Sequence, residues 1–172
     1  MAGEFCRVTA FVIPYRIGGK SRLGDPKLAL AMLSDVTDAV NELAAEALVV
    51  DGPGGQGAAV ADALAGLRGP VTIVNSDLPC ATGAEIEELT AAAPAIVAAA
   101  DGTTNALALR DVSDFEPLYG PGSAARFQEH LAAVQLDLPG LRDDVDTWDD
   151  LERVRDRVGK NTRGYLETLA RA

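Results

Sequence analysis

One stretch constrains the fold more than any other: residues 71 to 79, Val-Thr-Ile-Val-Asn-Ser-Asp-Leu-Pro, where an apolar run ends in a carboxylate followed by a proline. The run is an unbroken series of β-formers bounded by Gly69-Pro70 and by Pro79, which suits a central strand covered on both faces, as in a parallel sheet. Ligands of open α/β sheets bind beyond the carboxyl ends of their strands, so Asp77 stands where a substrate or metal would sit. Alone, Asp77 reads equally well as a cap on the next turn, and the rest of the chain has to decide between the two.

Strand and helix signals alternate along that chain. Arg7 to Ile13 is a β-branched run that stops at Pro14, and the loop Tyr15 to Gly24 is basic. Asp25-Pro26 then opens a helix, with Asp25 as N-cap, Pro26 at the first helical position and Leu28, Met32, Leu33, Val36, Val40 and Leu43 on one face. Ala47 to Asp51 reads as a short strand running into Gly52-Pro53-Gly54-Gly55-Gln56-Gly57, followed by a small-residue helix to about Leu67. After the Asp77 strand, Thr82 and Glu85 form a capping box that opens a helix to about Ala93. Ala95 to Ala100 and Asn105 to Arg110 are extended runs joined by a hairpin or tight bend at 101–104. Tyr119 to Ser123 precedes another helix, Val134 to Leu138 is a last strand, and Thr147 caps a helix to about Val158 that Gly159 ends. A further short helix would place Tyr165, Leu166 and Leu169 on its inner face, where they suit a homodimer contact as well as a core. Repeated βα units predict a single-domain α/β fold, a doubly wound and mostly parallel sheet with helices on both faces and an antiparallel insertion near 95–110.

Charge narrows the function. A formal net charge of −11 over 172 residues argues against binding nucleic acid through its backbone and suits a site that gathers divalent cations. The sign is uneven: Arg7, Arg16, Lys20, Arg22 and Lys27 place five of the 15 basic residues in the first 27, whereas residues 28 to 109 hold one, Arg68, against 11 acids. A positive N-terminal patch on an acidic body is a place to look for an anion. Cys6 and Cys80 have no disulfide or zinc spacing and read as packed free thiols, which fits the cytoplasm. Glu4 stands where a signal peptide would be basic, and the most apolar stretch, Ala91 to Ala100, is short and broken by Pro94, so no membrane segment is expected.

Four loops carry candidate chemistry. In Ile17-Gly-Gly-Lys20-Ser21-Arg22 the glycines permit close backbone approach and two cations supply charge, an arrangement for a polyphosphate that lacks the order of a P-loop. Gly120-Pro-Gly122-Ser123 at a helix start offers amides and a helix dipole to a second anion. Asp144 and Asp146 are alternate residues that face one way if extended, so both can meet one cation, with Asp77 completing the site. Thr103-Thr104-Asn105 offers hydroxyls and an amide that suit orienting a ligand. Each loop also has a plainer reading as a solvated turn or a helix entry.

It is the ordered set that carries a resemblance. Val12-Ile-Pro14, Lys20-Ser-Arg22-Leu23, Asp77-Leu-Pro79, Thr104-Asn-Ala-Leu107, Gly120-Pro-Gly-Ser123 and Asp144-Val-Asp146-Thr147 resemble the guanylyltransferases of coenzyme F-420 biosynthesis, which act on 2-phospho-L-lactate or phosphoenolpyruvate. The resemblance implies a nucleotidyltransferase fold related to the molybdenum-cofactor enzymes and the transfer of GMP from GTP to a small phosphorylated carboxylic acid, with Mg²⁺ as cofactor and pyrophosphate released. Carried over by position, Lys20, Arg22 and Asp77 are the catalytic residues and Asp77, Asp144 and Asp146 the metal ligands. The nucleotide site is then Pro14, Lys20, Ser21, Arg22, Gly55, Gln56 and Gly57, and the acceptor phosphate site Thr104, Asn105, Gly120, Gly122 and Ser123. The sequence departs from the pattern where relatives carry a further strand and helix before a Gly-Leu-Asn loop; here Val49-Val50-Asp51 leads almost directly to Gly55-Gln56-Gly57.

The residues support this chemistry independently. There is no Ser-His-Asp set, and His130 sits in an amphipathic helix as a surface or packing residue. A phosphate monoester with a second pKa of about 6 is already an anionic nucleophile at neutral pH, so alignment and charge neutralisation are what a protein must add. Two other readings are compatible: a related nucleotidyltransferase with another base or acceptor, and a non-catalytic relative that binds a nucleotide or a partner protein.

Overall fold

The computed structural model describes residues 9–16 and 22–171. Among them six strands, β1 (Ala10–Pro14), β2 (Ala47–Val50), β3 (Val71–Val74), β4 (Ala95–Ala98), β5 (Thr104–Leu109) and β6 (Val134–Gln135), form one sheet in the order β2-β1-β3-β5-β4-β6. β1 pairs parallel with β2 and β3, and β4 parallel with β6, while β5 runs antiparallel between β3 and β4. The sheet is therefore mixed, with the expected antiparallel insertion realised as a β4–β5 hairpin whose second strand lies beside β3. The Asp101 carboxylate closes the hairpin turn by accepting from the Thr103 amide at 2.9 Å and hydroxyl at 2.6 Å.

Alternation along the strands sends side chains to two cores. On one face Phe11, Ile13, Val74, Val97, Ala106 and Ala108 pack against α1 (Pro26–Asn41), α3 (Gly83–Ala91) and α5 (Pro139–Arg142). On the other, Val12, Val71, Ile73, Ile96 and Leu107 pack against α2 (Gln56–Leu64) and α4 (Ser123–Leu131). All four β3 residues are buried, as a strand covered on both faces requires. A third cluster joins α1 to α6 (Trp148–Val154) and α7 (Lys160–Leu169) through Leu28, Met32, Leu151, Val154 and Leu166. Chain order takes β2 to one side of β1 and β3 to the other, with α1 and α2 on opposite faces, so a crevice opens at the carboxyl ends of these strands.

Local expectations hold where side chains cap backbone. Asp25 accepts from the Lys27 and Leu28 amides and Pro26 opens α1; Thr147 and Asp150 form a reciprocal capping box on α6.

Several boundaries differ from the sequence reading, each for a tertiary reason. Glu85 makes only half a capping box, because its Oε1 is taken by the Gly140 amide at 2.9 Å. The expected strand Val134–Leu138 is limited to Val134–Gln135, since β6 is an edge that pairs only with Ala95 and Ile96 before Pro139 starts α5. Gly159 does not end a helix but precedes α7, where Asp35 accepts from the Asn161 and Thr162 amides. A Cβ at Gly159 would collide with that Asp35 carboxylate, which explains the glycine. Leu166 is buried and the Tyr165 hydroxyl donates to Asp25 at 2.8 Å, but Leu169 is exposed, so of the three only Leu169 is left for a dimer contact. Cys80 is buried with a free thiol, and Cys6 lies outside the described residues. Among the described residues no helix is long and apolar enough to cross a membrane.

Candidate active site

The crevice is a cleft of about 690 Å³ bordered by Pro14 at the end of β1, Val50 at the end of β2, and Asn75 and Asp77 after β3. Gly55 and Gln56 form its rim at the start of α2, and Arg16 adds a cation. Gly55 has a φ of +89°, a left-handed conformation that glycine adopts freely, and this turn lets the chain enter α2 against the cleft.

At one end of the cleft the acids meet. Carboxylate oxygens of Asp77, Asp144 and Asp146 lie within 4.8 Å of one another, though the residues come from segments far apart in the chain. The two segments are stitched together by the Val145 amide donating to the Asp77 carbonyl at 3.0 Å. Asp77 Oδ1 is buried with no hydrogen-bond partner among the described residues. Burial, and then the charges of Asp144 and Asp146, push the Asp77 carboxyl from 3.8 up to about 7. The Asp144 carboxyl is also raised, chiefly by burial, with the Asn105 amide opposing and Asp146 adding to the rise. Three carboxylates held this closely, one with a buried unpartnered oxygen, fit a hard divalent cation with oxygen ligands. Arg22 borders the cluster, its guanidinium 3.6 Å from Asp146.

Other expected residues are placed as follows. Lys20 and Ser21 lie outside the described residues. Gln56 Nε2 donates to Asn75 Oδ1 at 2.6 Å, and Asn75 Nδ2 to the Thr104 carbonyl at 3.2 Å. Gly57 faces Pro117 rather than the cleft: a Cβ there would stand 2.9 Å from that of Pro117. Thr104 and Ser123 are buried and share a hydroxyl–hydroxyl bond of 3.1 Å, and neither lines the cleft.

Ser123 is the first residue of α4 and Gly122 the N-cap, so the expected anion loop exists. Gly120 and Gly122 carry φ of +112° and +73°. Two amides there are already bonded, Ser123 to the Gly120 carbonyl and Ala124 to the Gly102 carbonyl. The loop is held by the Arg126 guanidinium, which donates to the carbonyls of Pro121 and Leu118. Asn105 is buried and spends its amide on Asp144 and on the Arg142 carbonyl.

Sequence reasoning missed Asn75, whose signal was its place two residues before Asp77, and it noted Arg16 only as part of a basic patch.

Comparison with known proteins bears on this arrangement. The chain is 42% identical over 127 residues to the phosphoenolpyruvate guanylyltransferase of Nocardia farcinica, a match covering 65% of this chain and 55% of the relative. It is 42% identical over 92 residues to the phosphoenolpyruvate guanylyltransferase of Sphaerobacter thermophilus, covering 48% and 44%. To phosphoenolpyruvate guanylyltransferase 1 of Rhodococcus jostii it is 42% identical over 108 residues, covering 58% and 46%. The chain is a homologue of phosphoenolpyruvate guanylyltransferases. The resemblance read from the order of its motifs is thereby shown, and the chain spans about half the length of these relatives. No family model matches it.

Solved structures establish the fold. Rv0371c from Mycobacterium tuberculosis H37Rv superposes with a TM-score of 0.55 at 20% identity, over 86% of this chain and 98% of that one. Its homologue from Mycobacterium sp. strain JC1 gives 0.52 at 22%, over 84% and 94%. A CMP:2-keto-3-deoxy-manno-octonic acid synthetase, solved with CTP, gives 0.51 at 13%, over 86% and 97%. The α/β sheet with helices on both sides is thus a fold shared with all three.

Proposed function

We propose that the chain is a Mg²⁺-dependent guanylyltransferase of coenzyme F-420 biosynthesis, a single cytoplasmic domain that transfers GMP from GTP to phosphoenolpyruvate or 2-phospho-L-lactate and releases pyrophosphate. The observation that carries this reading is the meeting of Asp77, Asp144 and Asp146 at one end of a cleft rimmed by Gly55 and Gln56, in a chain whose homologues are named for phosphoenolpyruvate. That name makes phosphoenolpyruvate the first acceptor to test.

In this reaction a phosphate oxygen of the acceptor forms a bond to the α-phosphorus of GTP, and the bond from that phosphorus to the bridging oxygen of pyrophosphate breaks. The nucleophile is anionic near neutral pH, so no general base is required. Mg²⁺ held by Asp77, Asp144 and Asp146 would supply the positive charge that phosphates need to approach one another. Arg16 in the cleft and Arg22 beside the acids give the nucleotide's phosphates cationic partners, and Arg22 would exchange Asp146 for phosphate; Lys20, outside the described residues, joins them by its motif position. Gln56 and Asn75, joined amide to amide, line the cleft where they orient the nucleotide. Positioning of the two bound anions and neutralisation of their charge together account for most of such catalysis, and a preformed cleft on strand ends would serve both.

Pyrophosphate release with GTP, Mg²⁺ and each phospho-acid in turn, with mass spectrometry of the products, tests the proposal. Release that requires one acid and yields its guanylylated form supports it; release without any acid, or none with a folded protein that binds GTP, refutes it. One observation favours a second reading, a transferase for another base: Gly57 stands where the loop of relatives has Asn, the residue expected to read the guanine, and Pro117 occupies the space a side chain there would need. A thermal-shift panel of nucleoside triphosphates separates the two, since the preferred base stabilises by mass action.

A further inference from the structure

Asn105 bridges the two halves of the acidic cluster. Its carbonyl accepts from the Asn75 amide at 2.9 Å, just past the end of β3 and two residues before Asp77. Its side chain reaches the other half, donating from Nδ2 to the Arg142 carbonyl at 2.8 Å and to Asp144 Oδ1 at 3.3 Å. The residue is 2% exposed, so these bonds are made away from competing water. A primary amide has two N–H donors, and here both are directed at the loop that carries Asp144 and Asp146.

From this geometry we infer that Asn105 is a positioning residue for a divalent cation: its amide fixes the orientation of Asp144 and the height of the 142–146 loop against Asp77. The inference rests on the reading of the cluster as a cation site, and it removes Asn105 from the acceptor phosphate set, where its motif position alone had put it. Three like charges within 4.8 Å repel one another unless something holds them. A neutral donor does so without adding a fourth charge, as an aspartate at 105 would. Donor groups behind metal-binding carboxylates have this effect elsewhere, and their loss costs about 10- to 100-fold in metal affinity.

Titration calorimetry of the metal-free protein with Mn²⁺ and Mg²⁺ tests the inference without any turnover. Asn105→Ala is expected to weaken cation binding about 10-fold or more. In an Asp144→Ala background the same substitution should change binding little, because the residue through which it acts is gone. A merely structural role would give equal losses in both backgrounds and overturns the inference. Unchanged cation affinity in Asn105→Ala, with a raised KM for the phospho-acid, overturns it in favour of an acceptor contact. Asn105→Ser, which keeps a short polar group, is the second variant should the alanine protein fail to fold. Absence of cation binding by the unaltered chain refutes the metal reading and this inference together, whereas binding by that chain that is equally tight in both Asn105 variants refutes this inference alone.

Discussion

Replacing Asp77 by Asn separates the cost of the carboxylate cluster from its use. Asp77 Oδ1 is buried without a partner among the described residues, and its carboxyl is pushed from 3.8 to about 7 by burial and by Asp144 and Asp146. The folded chain therefore keeps a proton on Asp77 over a pH range in which the unfolded chain has released it. Stability contributed by that proton is complete below pH 3.8 and is lost as pH rises through about 7. At 1.36 kcal/mol per unit the shift is worth about 4 kcal/mol at most, and because water reaches part of the residue about 2 to 4 kcal/mol is expected. In chelator at pH 8, Asp77→Asn should thus melt roughly 5 to 10 °C above the unaltered chain, because the amide carries no charge and can donate to Asp144 or Asp146. The gap should close as pH falls towards 4. Mg²⁺ should then narrow the gap, since a cation at about 100 times its Kd stabilises only the chain that binds it, by about 2.7 kcal/mol, a gain of the same size as the charge penalty. Calorimetric melting at two pH values, with and without Mg²⁺, reads all of this. An Asn variant no more stable at pH 8 in chelator would show that the cluster carries no charge penalty; a variant that gains as much from Mg²⁺ as the unaltered chain would remove Asp77 from the site.

Other consequences are direct. A proton on Asp77 competes with a cation, so Mg²⁺ affinity should be flat above about pH 7 and fall about tenfold per pH unit just below it, measured by calorimetry at fixed ionic strength. Ser123→Ala leaves the buried Thr104 hydroxyl without its partner and should cost about 1 kcal/mol in urea unfolding. If the α4 loop binds the acceptor, the same variant raises KM for the phospho-acid more than for GTP, and equal effects on both remove that assignment. Gly159→Ala pushes a methyl group into the Asp35 carboxylate that caps α7 and should destabilise by about 1 to 3 kcal/mol, read as a lower urea midpoint; an unchanged midpoint would mean that α7 shifts freely on α1.

Much of this architecture was legible because it is written locally. A run of β-formers between prolines and glycines has few alternatives to a covered strand, and β3 is that strand; Asp25-Pro26 states where α1 begins as plainly as any two residues can. The acids were legible for other reasons: Asp77 follows a covered strand, where an α/β sheet exposes polar groups, whereas Asp144 and Asp146, which follow α5, were read from their alternate spacing and from the resemblance. What was not legible depends on partners distant in the chain. Glu85 matches a capping box letter for letter, yet half of it serves Gly140, and Gly159 looks like a helix stop until Asp35 is seen beside it.

Asn105 shows the same limit within the site. Its motif neighbours Thr104 and Ser123 pair with each other on one side of β5, whereas its own amide crosses to Asp144. Successive residues of a strand face opposite ways. Adjacent letters of one motif therefore face different neighbours, with Thr104 turned towards the α4 loop and Asn105 towards the acids. On the proposed reading of the site, acceptor binding and cation holding would be linked through the backbone of a single strand. A substitution at either residue should be judged by which of the two affinities moves.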